Sequence, residues 1–129
     1  MTEAPRLFAA TKRGAPVIVR HADGGELAAL AGEVGREASL DALDPWSIVS
    51  IGRADGRGAT LHALGWRAGI VTTWITSPLR AVDLAGRAVR TSSGKVYALE
   101  RPDDPGLHPL LREHLAYALR TWGYDDVRS

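Results

Sequence analysis

The four histidines of this chain, His21, His62, His108 and His114, are its best candidates for proton transfer or metal ligation. A metal site needs converging ligands, for instance two side chains at i and i+4 on one helix. His108 and His114 stand six apart, and Glu113 beside His114 falls on another azimuth. No familiar zinc spacing occurs, and no metal is expected. His62 alternates within "TLHALGW", where a lone strand histidine is most often a hydrogen-bonded structural residue. Nucleophilic catalysis asks for a Ser or Thr beside a base and an orienting acid, yet neither a GxSxG elbow nor a comparable signature is present. The acidic pairs Asp103–Asp104 and Asp125–Asp126 read as solvated turn and terminal residues rather than as a general acid and base. These patterns assign no catalytic residue and no cofactor. A small enzyme is left only as a site assembled from distant parts of the chain, with His62 or His114 as base.

Binding chemistry is better represented. "IGRADGRGAT", residues 51–60, sets three glycines beside Arg53 and Arg57, a composition from which backbone N–H groups build anion-binding nests. It lacks the Lys-Ser/Thr of a phosphate loop, and Asp55–Gly56 equally makes a plain turn between two strands. Further on, Arg67, Arg80, Arg87, Arg90 and Lys95 interleave with Trp66, Trp74 and Tyr97. Positive strands with aromatic platforms are a common way to hold single-stranded nucleic acid. The candidate binding residues are therefore Arg53, Arg57, Arg67, Arg80, Arg90 and Trp66. Against this, large rings are ordinarily core, and Glu26, Glu33, Glu37 and Asp41 are placed to fold back over the basic strands.

The charge is segregated along the chain. Residues 45–99 carry seven basic and two acidic side chains, whereas residues 21–44 carry one basic and six acidic. The formal net charge is only +1, and a pI near 8.2 is modest for a dedicated nucleic-acid binder. There is no cysteine, which removes disulfides, thiolate metal sites and Cys nucleophiles and suits a reducing compartment. The N-terminal residues lack the apolar core of a signal peptide, and no apolar run approaches bilayer length. A soluble cytoplasmic protein without membrane contact is the expectation.

At 129 residues the chain suits one domain, with enough buried surface for a core. "RLFAA" and "APVIVRHA" predict an N-terminal hairpin within residues 1–20, Pro16 placing its second strand at an edge. Leu27, Leu30 and Val34 predict an acidic helical segment over 24–44, opened by Asp23 and Glu26. Its last turn, "ASLDALDPW", has Ser39 as cap and Pro45 as stop. From Trp46 to Glu100 β-branched and aromatic residues recur at strand spacing, predicting an antiparallel sheet over 46–100. Leu107, Leu111, Leu115, Ala118 and Trp122 form one stripe of a C-terminal helix over 105–123, with Pro109 early and Gly123 as its stop.

One stretch supports two periods. At 3.6 residues per turn, Ser77, Pro78, Leu79, Val82, Gly86 and Val89 outline a helix. At period 2 the same residues make two hairpins, turning at Ala85–Gly86 and at Ser92–Ser93–Gly94. The second arrangement sets Val82 opposite Val89 and Val89 opposite Tyr97, collecting Val82, Leu84, Val89, Tyr97 and Leu99 on one face. It accounts for more residues, so hairpins are expected. The fold class that follows is α+β: a twisted antiparallel meander, open or curled into a small SH3-like barrel, with an N-terminal and a C-terminal helix packed on it. Segregated charge without a catalytic constellation fits a non-catalytic module that binds a protein partner or a second copy of itself. Single-stranded nucleic acid, held by the basic strands, is the alternative partner.

Overall fold

The computed structural model describes residues 6–103 and 106–129. Arg6–Lys12 (β1) and Ala15–His21 (β2) form the expected hairpin, turning at Arg13–Gly14 with φ of 52° and 79°. Paired positive φ values match the twist of the flanking strands. β2 is not an edge strand, because its other side pairs with β3. Pro16 is tolerated there because it stands at the second position of the strand, before the ladder to β3 begins at Val17.

The acidic segment is mostly not helical. Helix α1 covers Gly24–Ala29 alone, opened by a capping box in which the Asp23 carboxylate accepts from the Glu26 N–H and the Glu26 carboxylate from the Asp23 N–H. Beyond it the chain extends along β6, where Leu30 O accepts from Val82 N–H and Gly32 N–H donates to Val82 O. Gly32 and Gly35 disfavour a helix by about 1 kcal/mol each, and the strand edge supplies the backbone partners instead. A single 3-10 turn, Arg36–Ala38, follows and ends at Ser39. The expected last turn is the start of a long strand, Asp41–Arg53 (β3), which Pro45 does not interrupt. The pairing of β3 with β4 shifts register between Leu43 and Trp46, so no ladder bond is asked of Pro45.

Thr60–Arg67 (β4) and Thr72–Ile75 (β5) continue from β3 as one antiparallel meander. Leu79–Asp83 (β6), Ala88–Thr91 (β7) and Val96–Leu99 (β8) form a second, settling the ambiguous stretch as hairpins. Val82 pairs with Val89, Val89 with Tyr97, and Gly94 turns at φ 88°. Leu84 departs from the expected face and is exposed, since the ladder ends at Asp83–Ala88 and the turn takes in Leu84 to Arg87 rather than Ala85–Gly86 alone.

The two meanders are not consecutive neighbours. β8 runs parallel to Asp41–Leu43, on the same side of β3 that β2 occupies further along. The sheet is therefore mixed rather than wholly antiparallel. Among the described residues it has nine strands, and Asp125–Arg128 (β9) adds to β1 where a solvated terminus is expected. The main path runs β6-β7-β8-β3-β2-β1-β9, with β4 and β5 branching from β3, and among the described residues no pairing closes it into a barrel.

Alternation along β3 divides the core. Val49 and Ile51 face one way, with Leu7, Val17, Val19 and Leu64, beneath helix α2 (Pro109–Thr121). Leu111, Leu115 and Leu119 fill that side; the expected helix start at 105 lies outside the described residues. Ile48 faces the other way, with Leu61 and Ala63, against Leu79, Val82, Val89, Tyr97 and Leu99 of the second meander. Leu27 and Leu30 pack there too, so the two helices lie on opposite faces. The outer side of β6–β8 is covered as well: Val34 is buried against Ala88 and Val96. No helix among the described residues is long and apolar enough to cross a membrane.

Candidate functional site

The six residues singled out for binding do not share one surface. Arg53 and Arg57 sit in the β3–β4 connection, where the carboxylate of Asp55 takes both the Arg53 guanidinium (3.1 Å) and the Arg57 N–H (3.0 Å). The loop's own acid thus takes one of the two guanidinium groups and one of the N–H groups that an anion would use. Arg80 is exposed on β6, and Arg90 is half-buried on β7. Trp66 is half-buried on β4, across from Thr73. Arg67 lies inside: its Nε donates to Asp41 at 2.9 Å, and its guanidinium stacks over Trp74 at 4.5 Å and Tyr97 at 5.6 Å. Two of the three interleaved rings are thus occupied by an internal cation.

Acidic flank residues do fold back, but selectively. Asp41 also accepts from Gly69 N–H. Burial works against its ionisation, yet the donors Ala42 N–H, Arg67 and Gly69 N–H outweigh burial and hold Asp41 below the ordinary carboxylate range. Glu26 follows the same pattern: burial opposes charge, while Ser50, the Asp23 N–H and Arg20 hold its carboxyl low. Glu100 joins Arg36 to Arg87. Among the described residues Arg57, Arg80, Arg90 and Lys95 make no ion pair.

His62 is a core residue. It is 4% exposed, stacks near Trp122 at 5.1 Å, and bonds the Thr76 carbonyl (2.9 Å) and the Thr60 hydroxyl (2.8 Å). A carbonyl only accepts, so Nδ1 carries the proton and Nε2 accepts from Thr60. Burial lowers its pKa, opposed in part by the Thr76 bond. His114 bonds the Thr73 hydroxyl at 2.6 Å, and burial lowers its pKa too. His108 caps α2, its Nδ1 accepting from Leu110 N–H. His21 is partly buried and shifted down by that burial, against the pull of Asp103. A cleft of about 220 Å³ between α1, β4 and β6 is lined by Glu26, Leu30, Leu61, Pro78 and Leu79, with no histidine on its wall. Among the described residues no three His, Asp or Glu side chains converge as a metal site.

A different surface gathers residues that no sequence motif marks. Sheet edges are normally blunted by charge, proline, bulges or covering chain. β9 carries Asp125, Asp126 and Arg128 and pairs irregularly with β1, while Leu30–Gly32 covers β6. β5, "TTWI", has no charge, no proline and no bulge, and among the described residues it pairs with β4 alone. Exposed apolar side chains collect around it. Ile70 and Val71, 49% and 70% exposed, form the tip of the hairpin that leads into β5. Val71 holds φ at 51°, a conformation in which a β-branched residue is strained and where glycine or asparagine is the ordinary choice.

Helix α2 completes the patch. His114 bonds Thr73 on one flank of the helix, and Arg112 reaches the Leu7 carbonyl on the other. Leu110 and Tyr117 lie four before and three after His114, so they share its flank, on the β5 side. They are 50% and 67% exposed, and the Tyr117 ring stands edge-on to His114 at 6.5 Å. The stretch "GIVTTWIT" has the β-branched composition of a strand, although its Ile-Val pair forms the turn. Comparison with protein families, with curated proteins and with solved structures found no match for this chain.

Proposed function

We propose that this protein is a non-catalytic module that docks another protein along β5 and the adjoining flank of α2. The observation that carries the proposal is the bare β5 edge, uncharged and bordered by Ile70, Val71, Leu110 and Tyr117. Exposed strand edges accept added strands through main-chain bonds, and neighbouring apolar side chains supply specificity. Among the described residues, four of the seven large exposed hydrophobic side chains border this one strand, and contiguous apolar surface of this kind marks an interaction site. The placement of His62 and His114, each already bonded and neither lining the cleft, supports a non-catalytic role. Nucleic-acid binding is the weaker proposal, since Trp74 and Tyr97 are stacked internally by Arg67.

The test is affinity capture with the full chain and two variants, Val71→Asp and Leu84→Asp. Leu84 is a comparably exposed apolar residue far from β5 in the strand order. A specific protein, this one's own copies included, should be retained by the wild type and by Leu84→Asp and lost with Val71→Asp. Equal capture by all three overturns the proposal.

A further inference from the structure

We infer that the occupant of this surface is a second copy of the chain, related by a two-fold axis, with β5 of each copy pairing antiparallel to the other. The inference rests on the docking function proposed above and names its partner. A two-fold contact requires that one patch accept itself. Thr72–Ile75 carries no charge, so lying antiparallel to itself it opposes no like charges. A net charge of +1 leaves little long-range repulsion between copies.

The helix adds charge complementarity. Glu113 precedes Tyr117 by four residues and Arg120 follows it by three, and all three are exposed. α2 packs on the face that Thr73 and Ile75 share, so extending the sheet through β5 sets two α2 helices side by side and antiparallel over one continuous face. With the axis near Tyr117, Glu113 of each copy lies toward Arg120 of the other. Tyr117, Leu110 and the Ile70–Val71 tip then lose their exposure, with aromatic and aliphatic anchors at the centre and charges at the rim, the distribution found in stable interfaces.

Sedimentation equilibrium on the full chain, from micromolar to millimolar concentration, tests the assignment. The wild type should reach twice the 13.8 kDa chain mass. Val71→Asp and Glu113→Arg should each weaken the dimer about tenfold or more while circular dichroism stays native. The exchange Glu113→Arg with Arg120→Glu in one chain should restore it, because opposite charges again meet across the axis. A monomer at every concentration, or a dimer indifferent to Val71→Asp, overturns the inference. If the wild type is monomeric yet captures a different protein that Val71→Asp loses, the second copy is wrong and the docking function stands. If neither is seen, both fall.

Discussion

Arg67 and Asp41 are 2.9 Å apart with side chains only 14% and 11% exposed, and they tie β4 to the start of β3 directly beneath the rings of Trp74 and Tyr97. An arginine that the sequence offers to an outside anion is spent on an internal carboxylate.

Removing one member of a part-buried pair takes away a charge-assisted hydrogen bond and leaves the other charge without its partner. Arg67→Ala should therefore destabilise the fold by about 2 kcal/mol, and a urea midpoint measures it. Arg80→Ala, exposed and without an ion pair among the described residues, should stay within about 0.5 kcal/mol of wild type. The folded pKa of Asp41 lies below its unfolded value. Its contribution is thus present above the ordinary carboxylate range and is lost as pH falls through the folded value.

His62 acts in the same direction for a different reason. Its folded pKa is lowered, chiefly by burial, so the unfolded chain binds the proton more readily. Stability should hold above the unfolded value of about 6.5 and decline as pH falls below it. His62→Gln should flatten that decline in urea midpoints taken across the acid side of neutrality. It should not abolish it, because His21 and His114 are shifted in the same direction.

Leu115 and Leu110 separate the two sides of α2. Leu115 is fully buried and Leu110 is 50% exposed. Leu115→Ala should cost about 3 kcal/mol through the cavity it leaves, and Leu110→Ala about 0.5 kcal/mol or less. Thermal melts of the two variants are sufficient to tell them apart.

Val71→Gly should do two things at once. Relieving a strained φ of 51° should raise stability by about 1 kcal/mol, while removing the side chain should weaken docking. A gain in melting temperature with undiminished capture would mean that the tip is not used.

Much of this architecture is legible in the residues. Period-2 patterning, with Gly94 at its turn, placed Val82, Val89 and Tyr97 in register. The stripe from Leu111 to Leu115, with Gly123 behind it, located α2. What escaped depends on partners distant in sequence. Leu30–Gly32 becomes an extended strip because Val82 offers it backbone bonds. Asp41–Leu43 becomes strand because β8 arrives alongside, some 55 residues later. The basic residues were legible as a composition but not as a surface, since whether Arg67 points to solvent or to Asp41 is settled only by tertiary packing. Val71 escaped because a valine in a left-handed turn runs against the local rules from which a sequence is read.

The most direct test of the docking surface is site-specific photocrosslinking, with a benzophenone side chain placed in turn at Val71, Tyr117 and Leu84. All three positions are exposed, and Leu84 lies far from β5 in the strand order. Crosslinked protein should form from Val71 and Tyr117 and be absent from Leu84. Crosslinking from Leu84 with none from Val71 would contradict the assignment of this edge as the site.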